Sequence, residues 1–142
     1  MRPSAFGVVL LWAAALTMYD VRHRRLPNVL TLPGAVVILA VAAGCGRGLP
    51  ALAGALGLAV LYLAVHLAIP AGLGAGDVKL ALGVGGLTGA FGPDVWLLAA
   101  LGAPVLTAML AAVVVVRDRT ATVPHGPSMC VASLAATALV VF

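Results

Sequence analysis

The sequence predicts an all-α membrane bundle of six transmembrane helices, and three observations predict it. Hydrophobic residues make up 63% of the chain and charged residues only 8%, more apolar surface than a soluble domain of 142 residues can hide. The apolar residues fall in continuous runs rich in Ala, Leu and Val, without the in/out alternation of barrel strands. Short basic or Gly/Pro-rich loops separate these runs, and inside hydrocarbon the backbone must be satisfied as helices or a closed barrel.

Six runs can be read in order. Pro3 to Tyr19 carries no charge and is closed by the basic loop Val21 to Pro27. It ends in Thr17-Met18-Tyr19-Asp20 rather than in a small-residue cleavage site, so it reads as a retained helix and not a signal peptide. Val29 to Ala43 follows and stops at Gly44-Cys45-Gly46-Arg47-Gly48, a turn-like cluster. Leu49 to Ile69 has about the length needed to span. After Pro70 and the Gly-rich stretch Ala71 to Gly76 comes Asp77, then the short apolar run Val78 to Thr88. Val95 to Val116 is the longest run, closed by Arg117-Asp118-Arg119, and Ser128 to Phe142 ends the sequence. No polar region is long enough to fold separately, so Met1 to Phe142 reads as one membrane domain.

The fourth run is the short one, since at about 1.5 Å per residue it falls below the hydrocarbon thickness unless it borrows neighbours. Charge decides its crossing. With six crossings, Arg22, Arg24, Arg25, Lys79, Arg117 and Arg119 share one side and leave Arg2 and Arg47 opposite. Without the fourth crossing the split becomes even, and the positive-inside rule prefers the uneven one. Both termini are then outside and three loops cytoplasmic. Asp20 and Asp77 fall together at the cytoplasmic face, although neither entered the count. The net charge of +4 does not point to nucleic acid, because the basic residues sit in separate loops and form no stripe.

Glycines 54, 57, 83, 85, 86, 89 and 102 lie in or beside the runs and would let helix backbones approach closely. The expectation is packing within one chain rather than a dimer face. The oligomeric state stays open.

The chain has four acids, all Asp. Asp94, beside Gly92-Pro93, and Asp118, between two arginines, read as solvated loop charges. Asp20 opens the segment Asp20-Val21-Arg22-His23-Arg24-Arg25-Leu26-Pro27-Asn28, an acid followed by a basic turn and the start of a helix. Asp77 follows Gly72-Leu73-Gly74-Ala75-Gly76, where the backbone is free to turn tightly or to let a substrate strand come close. A phosphate cradle is rejected there, because that reading needs a preceding strand and a membrane helix precedes instead.

These residues carry a family resemblance. Gly74-Ala75-Gly76-Asp77-Val78-Lys79-Leu80 resembles the GxGD motif of intramembrane aspartyl proteases, in the GxGDxKL form of the prepilin peptidases, or type IV leader peptidases. Asp20 to Asn28 resembles the other active-site segment of those enzymes, and Pro124-His125-Gly126-Pro127 their Pro-aromatic-Gly-Pro element, with His125 in the aromatic place. The resemblance covers nearly the whole chain and implies a catalytic pair, Asp20 and Asp77, with no metal and no cofactor. Gly74, Gly76, Lys79, Pro27 and Asn28 are the implied substrate contacts. The implied substrate is the basic leader of a type IV pilin-like membrane precursor, cut after a glycine at the cytoplasmic face of the cell (plasma or inner) membrane. The chain is similar to the minimal six-helix form that serves Tad/Flp pili. A cytoplasmic region with two Cys-x-x-Cys pairs, which longer relatives carry, is absent, and N-methyltransferase activity is left open.

Other readings stand beside this one. An archaeal-type preflagellin peptidase would use the same chemistry. A non-catalytic membrane scaffold or a small cation-coupled transporter would use the acids to bind cations, near the bilayer midplane rather than at helix ends. Cys45 and Cys130 are single and expected at opposite faces, so neither zinc nor a mutual disulfide is expected. His66 reads as an interhelical hydrogen-bonder and His125 as a loop residue near the site. Lys79 either snorkels to the interface or tunes Asp77.

Overall fold

The computed structural model describes residues 3–70, 72–117 and 123–142, without the side chains of Pro3, Ser4 and Arg117. Of the charges counted for orientation, Arg2 and Arg119 lie outside the described residues, as does Asp118, read above as a solvated loop charge. Six helices follow in order: α1 Pro3–His23, α2 Asn28–Gly44, α3 Gly48–Ala68, α4 Ala75–Gly89, α5 Pro93–Arg117 and α6 Gly126–Val141. Among the described residues there is no strand.

Consecutive helices alternate in direction. At one end of the bundle Phe6 meets Phe142 edge-on at 5.5 Å, and the Arg47 guanidinium donates to the Ala90 carbonyl at 3.3 Å. At the other end the C-terminus of α1, the start of α4 and the start of α6 converge around Asp20 and Asp77. Three helices, Ala5–His23, Gly48–Ala68 and Pro93–Val116, are long and apolar enough to cross a membrane. Their outward side chains, such as Leu11, Val60 and Leu101, are exposed and apolar, as a lipid-facing surface requires. α2 and α6 are apolar but shorter.

α4 is short because it is the centre. It touches α2, α3, α5 and α6, and ten of its 15 residues are buried. Between lipid-embedded helices there is little hydrophobic drive, so close packing has to hold them together. Here the close approach is between α3 and α4 backbones. A β-carbon at Gly85 would stand 2.6 Å from the Gly54 carbonyl oxygen, and one at Gly89 would stand 2.7 Å from the Pro50 oxygen. The Gly85-xxx-Gly89 step thus packs inside the chain. Trp12 wedges in beside Gly83, where a β-carbon would come 2.8 Å from its ring, and donates its indole N–H to the Leu30 carbonyl at 2.9 Å. Trp96 donates to the Gly54 carbonyl at 2.9 Å, tying α5 to α3. The buried hydroxyls of Thr88 and Thr137 return to carbonyls four residues back, so neither is a lone donor in the apolar interior, whereas the buried Ser128 hydroxyl has no hydrogen-bond partner among the described residues.

Two helix ends differ from the sequence reading. α1 runs on through His23, one turn past Asp20, and ends where Arg24 takes a left-handed conformation with φ of 49°. α4 starts at Ala75, so Asp77 stands in its first turn rather than in a loop before it.

Candidate active site

Asp77 is held by the helix it starts. Gly74 is the N-cap of α4, and its backbone N–H donates to Asp77 Oδ2 at 3.2 Å while the Asp77 N–H donates to the Gly74 carbonyl at 3.0 Å. This is the carboxylate half of a capping box, since glycine has no side chain to return the bond. The positive end of the helix dipole supports the charge there.

Asp20 reaches its place from the far end of α1. The Gly126 N–H donates to its carboxylate, and Arg24, one turn on, faces it with a positive charge. Gly126 begins α6, and a β-carbon there would stand 2.5 Å from Asp20 Oδ2. Only glycine gives that carboxylate room. Leu26 fills the angle between the two acid segments: a β-carbon at Gly76 would come 3.1 Å from Leu26 Cβ, and one at Gly126 would come 3.5 Å from Leu26 Cδ1.

The two carboxylates line the same cavity and feel each other's charge. One lobe, about 280 Å³, is lined by both acids with Arg24, Arg25, Leu26, Gly74, Ala75, Gly76 and Lys79. The other, about 290 Å³, runs from the acids to Pro124 and His125. Asp20 is 6% exposed and Asp77 8%, whereas Asp94 is exposed in the first turn of α5, as expected of a solvated charge. A buried pair of acids at a membrane-protein helix end is costly unless it is used.

The other residues named from sequence distribute around this cavity. Gly74, Gly76 and Lys79 line it. The Lys79 ammonium donates to Asn28 Oδ1 at 2.8 Å, so these two residues fasten α4 to the start of α2. Pro27 and Asn28 border a separate cleft with Tyr19, His23 and Arg25, joined to the first through Arg25 and Leu26. His66 donates from Nδ1 to the Leu73 carbonyl at 2.6 Å, a bond to the Gly-rich segment rather than to a neighbouring helix. Among the described residues no group of three His, Cys, Asp or Glu could hold a metal ion. Cys45 is exposed at the end of α2, and Cys130 is buried in α6 at the acid end.

Three residues escaped the sequence reading or were undervalued by it. Gly126 and Leu26 stand inside the two family-like segments but were given no role there, because they matter through tertiary contacts. Tyr62, buried in α3, joins a hydrogen-bond chain behind the cavity. Thr107 Oγ1 donates its hydrogen to the Ala103 carbonyl at 3.0 Å, so toward His125 Nδ1, 2.7 Å away, it can only accept. Nδ1 therefore carries the hydrogen of the neutral ring, and Nε2 accepts from the Tyr62 hydroxyl at 2.9 Å. Burial lowers the His125 pKa, in keeping with the neutral form.

Residues 7–142 match the family model described as the type IV leader peptidase family. No curated protein and no solved structure matches the chain.

Proposed function

The chain belongs to the type IV leader peptidase family, and is thus a membrane-embedded protease; on that premise we propose that Asp20 and Asp77 are its catalytic pair. The observation that carries this reading is that both buried acids line one cavity at one end of the bundle.

Two carboxyls that share a site cannot both ionise cheaply, so one keeps its proton while the other is the base. The base removes a proton from water, and the hydroxide attacks the scissile carbonyl. The protonated partner donates a hydrogen bond to that carbonyl oxygen as negative charge builds there. The tetrahedral adduct then collapses, the peptide C–N bond breaks, and the leaving nitrogen takes up the proton that the base removed from water. Because the pair titrates as one unit, the two roles belong to the dyad and not to a named residue. The Gly74 and Gly126 amides each favour a carboxylate, and Arg24 adds a cation beside Asp20.

The substrate in this reading is the basic leader of a type IV pilin-like precursor of the Tad/Flp kind, cut after a glycine at the cytoplasmic face. All six helices cross the membrane, with the acid end cytoplasmic; the distribution of Lys and Arg between the two ends supports this orientation. Gly74 and Gly76 leave the cavity wall open to an extended peptide. Co-expression with a candidate precursor tests the proposal. A leader-shortened product that appears only with the intact chain is the expected result.

A further inference from the structure

We propose that His66 is a positioning residue that acts on Asp77 through a single peptide group; this rests on the dyad reading above. Leu73 C=O and Gly74 N–H are the two ends of one planar amide. His66 Nδ1 lies 2.6 Å from the Leu73 oxygen, and the Gly74 nitrogen lies 3.2 Å from Asp77 Oδ2. A carbonyl oxygen can only accept, so Nδ1 holds a hydrogen, and the bonds run one way: imidazole to carbonyl, amide to carboxylate.

Hydrogen bonds in such a chain polarise one another, so the imidazole strengthens the Gly74 amide as a donor to Asp77. It also sets the direction of that donor. Glycines at 72, 74 and 76 impose little conformational preference of their own on this segment, so the direction of the amide is set by its contacts, His66 among them. His66 stands in the last turn of α3, a helix locked backbone to backbone against α4. The imidazole therefore ties the Gly-rich segment to α3. It is absent from the walls of both lobes that hold the carboxylates, so it reaches the chemistry through Gly74.

The test compares His66→Asn, whose amide nitrogen can take the place of Nδ1, with His66→Phe, which keeps a ring and has no donor. Two readouts are used: kcat and KM for leader cleavage, and the amide proton resonance of Gly74 in protein labelled with ¹⁵N-glycine. The expected result is a fall in kcat of about tenfold for His66→Phe, the scale of one hydrogen bond, with KM unchanged and kcat largely restored in His66→Asn. The Gly74 resonance moves upfield in His66→Phe and returns in His66→Asn. If His66→Phe does not accumulate, His66→Gln replaces it, its amide being one bond too far out. An unmoved Gly74 resonance, or equal kcat for Asn and the donor-less or misplaced variant, overturns the relay. The resonance needs no substrate, so a chain that cleaves no precursor would refute the enzymatic reading while still deciding the relay.

Discussion

Gly126 and Asp20 are built against each other: the Gly126 amide donates to the Asp20 carboxylate, and a β-carbon on residue 126 would stand 2.5 Å from Oδ2. The contact is to the end of a side chain, so Gly126→Ala should fold, with Asp20 pushed aside. A displacement of that order at a reacting group costs roughly a hundredfold in rate. Stability should fall by only about 1 kcal/mol, the low end of overpacking. Gly57→Ala is the control, because its β-carbon would meet Trp96 at 3.6 Å, an ordinary contact. Cleavage rates and melting in detergent check both, and an active Gly126→Ala would refute the contact's importance.

The α3–α4 contact makes a different demand. At Gly85 the obstacle is the Gly54 carbonyl oxygen, 2.6 Å from a new β-carbon, and backbone cannot turn away. Gly85→Ala should therefore destabilise the whole bundle by about 1–3 kcal/mol. Thermal melting in detergent measures it, and a melting point equal to that of the unmodified chain would contradict the packing.

His125 predicts a pH dependence. Burial holds its pKa below the ordinary 6.5, so as pH falls through 6.5 the unfolded chain takes up the proton first. Stability should decline from that pH downward, with the loss complete below the folded-state pKa. Protonated His125 must also donate from Nε2, where the Tyr62 hydroxyl now donates, so that one bond has to reverse while Nδ1 keeps donating to Thr107. His125→Phe should flatten the melting profile between pH 7.5 and pH 5, and identical slopes would count against this account.

Orientation can be read from Cys45. Cys45 is exposed at the end of the bundle away from the acids, and Cys130 is buried beside them. An impermeant thiol reagent applied to intact cells should modify Cys45, while the buried Cys130 stays untouched in either orientation. Protection of Cys45 in intact cells, with labelling only after the membrane is opened, would invert the proposed orientation.

The sequence showed the helical architecture and both buried acids through features that are local: apolar runs, loop charges and an Asp after a glycine cluster. It misplaced helix ends for physical reasons. Gly74-Ala75-Gly76 reads as loop because glycine disfavours helix, yet Asp77 accepting from the Gly74 amide starts α4 there. The basic residues after Asp20 read as a loop, but α1 continues to His23 before Arg24 reverses the chain. Leu26, Tyr62 and Gly126 were not legible as site residues, because each acts through a contact with a distant segment. Lys79 and Asn28, named separately as substrate contacts, turn out to bond each other.

The central claim is that Asp20 and Asp77 work as one dyad, and leader cleavage by the Asn variants tests it most directly. Asparagine keeps the size of the carboxylate but can neither take the water's proton nor hold the acidic one. Asp20→Asn and Asp77→Asn should each abolish cleavage at normal membrane levels, with the double variant no worse than either. Asp94→Asn, an exposed charge, should retain activity. Near-normal cleavage by Asp20→Asn, with Asp77→Asn inactive, would contradict the two-aspartate mechanism.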